Sequence, residues 1–239
     1  LRHCRFTRNS GTTIQITWVG IPISRQTLLY TRISWRTATP ETWKQQSDFM
    51  ARLEIDSKDL DPIQLKTYKA IKRVAVEKAV RFIIVGASAR DLVMHHAYGA
   101  PIQRATLDID LAVQVPDWAS FESIGDSLIH EGYTKTNLPH RLQGPHGAPI
   151  DILPFGSVES GDSIIAWPPS GDVQMSVVGF QDALDNADWL TVNTELKLEL
   201  PVASPQGLTL LKLVAWSERD ARTRRKDAAD IAYLASNYE

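Results

Sequence analysis

The sequence predicts an α/β (α+β) fold: a mixed central sheet flanked by helices, with a helical C-terminal part. Three observations carry this. From Met50 onward, short β-branched runs alternate with segments of helical period in the order α-β-α-β-α-β-β. Asp61-Pro62 and Ser204-Pro205 each place an oxygen acceptor at an N-cap and a proline at the first helical position. Mixed elements follow the regular part, and two helices then close the chain.

Leu65, Tyr68, Ile71 and Val74 recur at three-residue steps after Asp61-Pro62, with Val76 and Val80 extending the apolar surface, so 62–80 reads as an amphipathic helix. The run 81–85 is a buried strand that feeds a turn at Gly86. Residues 87–98 read as a helix closed by Gly99 and stopped by Pro101. A second strand covers 107–115 and ends at Pro116. Residues 117–130 form a helix with Trp118, Phe121, Ile124, Leu128 and Ile129 on its apolar side, and Gly132 stops it. Strands at 133–142 and 148–153 flank the turn-forming residues 143–147. Beyond Gly156 the pattern predicts a loop at 167–171, a strand at 175–178, a short helix at 181–187 and a strand at 196–202. Helices then run from Ser204-Pro205 to Arg219 and over 226–237.

The chain has 239 residues, 43% apolar and 23% charged, enough for one large domain or a core with a small extension. A formal net charge of −2 argues against a protein that coats nucleic acid non-specifically, while leaving room for a local basic cleft. The one cysteine, Cys4, has no internal disulfide partner, and no Cys/His spacing suggests zinc. No apolar run reaches the ~18 residues of a membrane span and no signal-peptide pattern is visible, so the expectation is a cytoplasmic protein without a membrane partner.

Residues 1–49 differ from the rest. They hold seven Lys/Arg against two acids, a net +5 that leaves −7 for the remainder, and Trp18, Trp35 and Trp43 fall in no clear period. The apolar patch from Ile14 to Ile23 could make a strand, but no turn chemistry frames a hairpin. The segment is expected to be an atypical, poorly ordered basic extension with Met50 as the natural start. A nucleic-acid-binding basic arm is the competing reading.

The chemistry concentrates in Thr106-Leu-Asp-Ile-Asp-Leu-Ala-Val113. Residues two apart in a strand share a face, so Asp108 and Asp110 are expected side by side, with Leu107, Ile109 and Leu111 buried opposite. Two carboxylates so close repel unless a cation sits between them or one is protonated. Hard oxygen ligands of this kind suit Mg²⁺ (or Mn²⁺), which shares its shell with substrate phosphates. Asp151, within 149–153, occupies a like position in another strand, and if the two strands are neighbours three carboxylates converge for two-metal phosphoryl chemistry. Upstream, Ile83-Ile-Val-Gly-Ala-Ser88 leads from a strand through a glycine turn into a helix whose free N–H groups, with the Ser88 hydroxyl, would cradle phosphate. An isolated Asp-x-Asp is more often solvated charge; its setting after this turn is what makes it a site.

These motifs resemble the nucleotidyltransferase superfamily, whose signature is Gly-Gly or Gly-Ser, a spacer, and Asp-h-[Asp/Glu]. Val85-Gly-Ala-Ser-Ala-Arg-Asp91 is similar to the Gly-Gly-Ala-Val-Arg-Asp run of tRNA nucleotidyltransferases and poly(A) polymerases. A closer likeness is to the AbiEii/AbiGii-type toxin nucleotidyltransferases. It rests on Arg104 to Asp110, His140-Arg141, Asp151 to Gly156, Leu211 to Trp216 and Arg225 to Asp230, and spans most of 81–239. Ala87 stands where the superfamily has Gly or Ser, and the spacer from Gly86 to Asp108 is longer than its usual one.

The resemblance implies a nucleotidyltransferase fold with a catalytic core at 50–160 and a C-terminal mixed and helical part at 161–239 packed on it. It implies transfer of an NMP from an NTP to an acceptor, possibly RNA or tRNA, by the toxin of a toxin–antitoxin or phage-defence system with a cognate antitoxin. Asp108, Asp110 and Asp151 would be the catalytic and metal-holding carboxylates. Gly86, Ser88, Arg90, Lys212 and Lys226 would bind nucleotide or phosphate, supported by Arg104, Arg141, Asp227 and Asp230. An aminoglycoside-type small-molecule nucleotidyltransferase and an inert nucleotide-binding module are the alternatives.

Several of these residues also have plainer readings. Lys212 could snorkel from an apolar helix or pair with Asp227. The run Arg222, Arg224, Arg225, Lys226 could be a solvated helix junction or an RNA- or phosphate-contacting patch, and Asp227 and Asp230, sharing a helix face, could salt-bridge to the 219–226 arginines. His95 and His96 cannot both face one site. His140 and Arg141 point to opposite faces of a strand, and Arg141 is the better phosphate partner. Trp167 and Trp216 read as core or loop anchors.

Overall fold

The structure, a computed structural model, describes residues 4–8, 14–18, 52–102 and 106–238. The chain divides into two units, Leu1–Trp43 and Lys44–Glu239. In the first, β1 (Cys4–Arg8) pairs antiparallel with β2 (Ile14–Trp18), so the apolar patch at Ile14 does form a strand, and it has a partner that the turn signals did not announce. The other residues of the 1–49 extension lie outside the described residues, as does Arg104.

The second unit opens with β3 (Arg52–Asp56), a strand with only two buried side chains, Leu53 and Ile55, and therefore too weak an alternation to read from sequence. Helix α1 (Pro62–Glu77) starts where Asp61 accepts hydrogen bonds from the Ile63 and Gln64 N–H groups at 2.7 and 3.3 Å. It stops short of the expected Val80 because Ala79 takes φ 52° and the Val80 N–H bonds back to Ala75 O. Then come β4 (Arg81–Val85), α2 (Gly86–Arg90) and a π-helical stretch at Asp91–Ala97 in place of one continuous α-helix. The wider turn shows in Tyr98 N–H bonding to Val93 O at 3.0 Å.

Strand β5 (Ile109–Val115) begins two residues later than expected. Leu107 consequently lies outside the alternation and is 49% exposed, while Ile109 and Leu111 are buried. Helix α3 (Trp118–His130) is capped by Asp117, which accepts from Ser120 N–H at 2.7 Å. The expected strand at 133–142 is broken into β6 (Thr134–Lys135) and β7 (Arg141–Gln143). Between them the Thr136 hydroxyl accepts from Leu138 N–H and donates to Arg141 O, drawing the backbone into a local turn. Strand β8 (Pro149–Gly156) follows, then β9 (Ile164–Ala166) with β10 (Gln174–Ser176) as a separate antiparallel pair. The rest is α4 (Phe180–Asp185), β11 (Asp188–Asn193), β12 (Leu198–Val202), α5 (Pro205–Glu218) and α6 (Arg224–Asn237). Strand β11, absent from the sequence expectation, pairs with β3 and β12.

The main sheet is mixed and eight-stranded, in the order β3-β11-β12-β4-β5-β8-β7-β6. Residues 161–239 thus supply two of its strands. On one face, Ile71 and Val74 of α1 and Ile124 and Leu128 of α3 meet Leu111 and Val113 of β5 around a shared interior space. The alternate residues of β5 look the other way, where Gln114 bonds Gln181 of α4 at 2.7 Å. This second face carries Asp110. No helix among the described residues is long and apolar enough to cross a membrane.

Candidate active site

The site is built at the middle of the sheet. Strands β5 and β8 run parallel with Asp110 opposite Asp151, and β7 runs antiparallel to β8 with Arg141 opposite Asp151. Side chains in register share a face, so Asp110, Asp151 and Arg141 form a row across three strands. The strands that sequence reasoning could only suppose to be neighbours are paired. Asp108 lies just before β5, its side chain 52% exposed, with one oxygen 3.9 Å from the Arg141 guanidinium.

On the other flank, Gly86 takes φ +66° at the end of β4. A Cβ there would overlap the Asp110 carboxylate, so glycine is needed both for the turn and for the close approach. The Ala87 N–H reaches the same carboxylate. Asp110 is pushed up to about 6, first by burial and then by the negative charge of Asp151, with Asp108 adding to the effect; Lys212 and the Ala87 N–H pull the other way. Three carboxylates therefore share one electrostatic environment.

Arg141 grips Asp151 with both arms, Nε to Oδ1 and Nη2 to Oδ2, each at 2.6 Å. This pairing raises the arginine's affinity for its proton further. It also gives one member of the expected metal triad a protein cation as its partner in this structure. Among the described residues no group of three or more His, Cys, Asp or Glu side chains is arranged to hold a metal. Asp151 already has a cation. Asp108 and Asp110 still fit a hard divalent ion, because they are carboxylates two residues apart and the inner one is driven toward protonation by burial and by the negative charge of Asp151 and Asp108.

The expected phosphate ligands divide. Gly86 is at the turn. The Ser88 hydroxyl faces inward, donating to Val85 O at 3.1 Å and accepting from Asp110 N–H at 3.4 Å, so it braces the Asp110 strand instead of presenting itself to a ligand. Arg90 is 3% exposed and locked between Asp91 (2.7 Å) and Asp230 (2.8 Å), which takes it out of reach of a nucleotide in this arrangement. Lys212 of α5 pairs with Asp230 at 2.7 Å and Asp227 at 3.3 Å, while its charge still reaches Asp110. Lys226 is exposed on α6 with no ion-pair partner among the described residues. Of His140 and Arg141, only Arg141 reaches the carboxylates.

Asp227, fully buried, also takes Arg219 at 2.8 Å. Burial raises Asp230, yet Lys212 and Arg90 outweigh it and leave its pKa lowered. The result is a chain of alternating charge, Asp91–Arg90–Asp230–Lys212–Asp227–Arg219, buried except at its half-exposed Arg219 end, that ties the helix after the Gly86 turn to α5 and α6. The pairing of Asp227 with an arginine of the 219–226 stretch follows the sequence reading, whereas Asp91 was not singled out; its adjacency to Arg90 was the one available signal. Trp167 is buried against Trp118 and Phe121, as a core anchor should be, whereas Trp216 is exposed beneath the Arg224 guanidinium.

Residues 69–239 match the family described as "Nucleotidyl transferase AbiEii toxin, Type IV TA system". The chain belongs to the AbiEii nucleotidyl transferase toxin family. It is thus a nucleotidyltransferase, and the match takes in Gly86, Asp108, Asp110, Asp151 and the whole charge chain. No curated protein matches the chain by sequence. Among solved structures, the antibiotic-resistance factor ANT(2'')-Ia in solution is 13% identical with a TM-score of 0.43, covering 75% of this chain and 86% of its own. An antigenic nucleotidyltransferase-like protein from Paracoccidioides brasiliensis is 16% identical, also at 0.43, covering 73% and 75%. The same ANT(2'')-Ia in complex with adenylyl-2''-tobramycin is 12% identical, again at 0.43, covering 74% and 90%.

Proposed function

We propose that this AbiEii-family protein moves a nucleoside monophosphate from an NTP to an acceptor hydroxyl with release of pyrophosphate, dependent on Mg²⁺ or Mn²⁺. The observation that carries the reading is the Asp110 carboxylate pressed on the Gly86 turn, with Asp151 in register beside it and Asp108 open at the mouth. Asp108 and Asp110 would hold the divalent ion, which supplies charge neutralisation for the transferred phosphate. The Gly86 turn and its following N–H groups receive the phosphates, with the positive charge of Lys212 behind them. Asp151 accepts the proton of the acceptor hydroxyl as its oxygen attacks the α-phosphorus and the bond to the β-phosphate breaks.

RNA, with tRNA foremost, is the acceptor this reading favours, and the family's description supports a toxin restrained by a cognate antitoxin. Incubating the protein with each labelled NTP, Mg²⁺ and total RNA, and separately with an aminoglycoside, tests the reading. RNA should be labelled by wild type and not by Asp108→Ala. Identical behaviour of the two proteins across all four NTPs would refute it.

A further inference from the structure

Arg141 holds the position of a resident cation at the carboxylate centre. Its planar fork matches the two oxygens of Asp151 at 2.6 Å each, and its Nη2 stands 3.9 Å from Asp108, so one guanidinium faces two of the three carboxylates proposed for catalysis. It does so from a strand of only three residues, bounded by the Thr136 turn on one side and the 144–148 loop on the other, in which Leu142 points into the core while the Arg141 side chain is a third exposed. A guanidinium so placed can swing toward solvent without breaking the core. The fork that fits a carboxylate fits a phosphate equally well.

We propose that Arg141 is an exchangeable counter-ion. Without a divalent ion it neutralises Asp151; when nucleotide and metal arrive it yields Asp151 and transfers its fork to the triphosphate. Arg141 is a positioning residue in the first state and a phosphate ligand in the second. The exchange makes Asp151 available as ligand and base only when substrate is present, and it couples metal affinity to nucleotide occupancy. This rests on the metal-dependent reading above. A purely structural ion pair joining β7 to β8 is the rival account.

The test is Mn²⁺ binding followed by electron paramagnetic resonance, with and without a non-hydrolysable NTP analogue, in wild type, R141Q and R141K. With Arg141 no longer competing for Asp151, R141Q should bind Mn²⁺ alone about tenfold more tightly than wild type, and the analogue's enhancement of Mn²⁺ binding should shrink by a similar factor. R141K, which keeps the charge and loses the fork, should fall between them, and it serves if R141Q proves unfolded by circular dichroism. Folded variants whose Mn²⁺ affinity equals or falls below that of wild type would overturn the exchange alone. Wild type that binds no Mn²⁺ even with the analogue would overturn the metal-dependent reading and the exchange together.

Discussion

The carboxylate of Asp110 lies directly on the α-carbon of Gly86, so close that a methyl group on residue 86 would sit 2.8 Å from the Asp110 Cγ. The turn that closes β4 and the acid that opens β5 are thus one construction. Gly86→Ala meets both the positive φ and the carboxylate. It should cost about 1–3 kcal/mol of stability and abolish nucleotidyl transfer. Denaturant unfolding measures the first effect and labelled-NTP turnover the second; a variant as stable and active as wild type would contradict the assignment.

The same acid should leave a signature in pH. Asp110 is raised from 3.8 to about 6, so between those values the folded protein keeps a proton that the unfolded chain releases. Stability of the metal-free protein should therefore fall as pH rises through that window, by up to about 3 kcal/mol, and level off above it. Asp110→Asn removes the group, and its stability–pH curve should be flatter across the window. Urea titrations between pH 3.5 and 7.5 decide the matter; parallel curves for the two proteins would remove Asp110 as the source.

Arg90 and Asp230, joined at 2.8 Å inside the protein, should behave as one unit. Arg90→Ala strips a buried charge from both Asp230 and Asp91 and should cost about 3–5 kcal/mol. Adding Asp230→Ala should cost less than the sum of the single changes, with a coupling of about 1–3 kcal/mol. Strict additivity in a double-mutant cycle would show that the two are not energetically linked.

Trp167 packs its ring 5.4 Å from Trp118 and 5.5 Å from Phe121. Trp167→Ala should destabilise by about 3–5 kcal/mol and weaken the near-ultraviolet dichroism of the cluster, while Trp167→Phe should cost under about 1.5 kcal/mol. Because Trp118 and Phe121 belong to α3, which packs on the face of the sheet opposite Asp110, either variant that folds should still transfer nucleotide. Loss of transfer at full stability would place Trp167 in the site.

Elements whose signals are local were legible in the sequence. The Asp61 and Ser204 caps, the β-branched run at 81–85 and the apolar stripe of Ile124 and Leu128 each declare their structure within a few residues. β3 and β11 were not, because two or three alternating apolar residues make a strand only when a partner distant in sequence completes the ladder. The break at 136–140 escaped for a related reason: a single threonine hydroxyl competes there with strand pairing.

By itself, the sequence determined the fold class and the Gly86 turn, since short β-branched runs, helix caps and a glycine that ends a strand are properties of the local chain. Only the tertiary structure decided what those residues face. Strand pairing sets Asp151 beside Asp110 and Arg141 beside Asp151, and helix packing turns Arg90 and Lys212 inward onto Asp230 and Asp227. A side chain's charge is written in the sequence. Its partner depends on which strands and helices are neighbours, and burial then makes that partner obligatory.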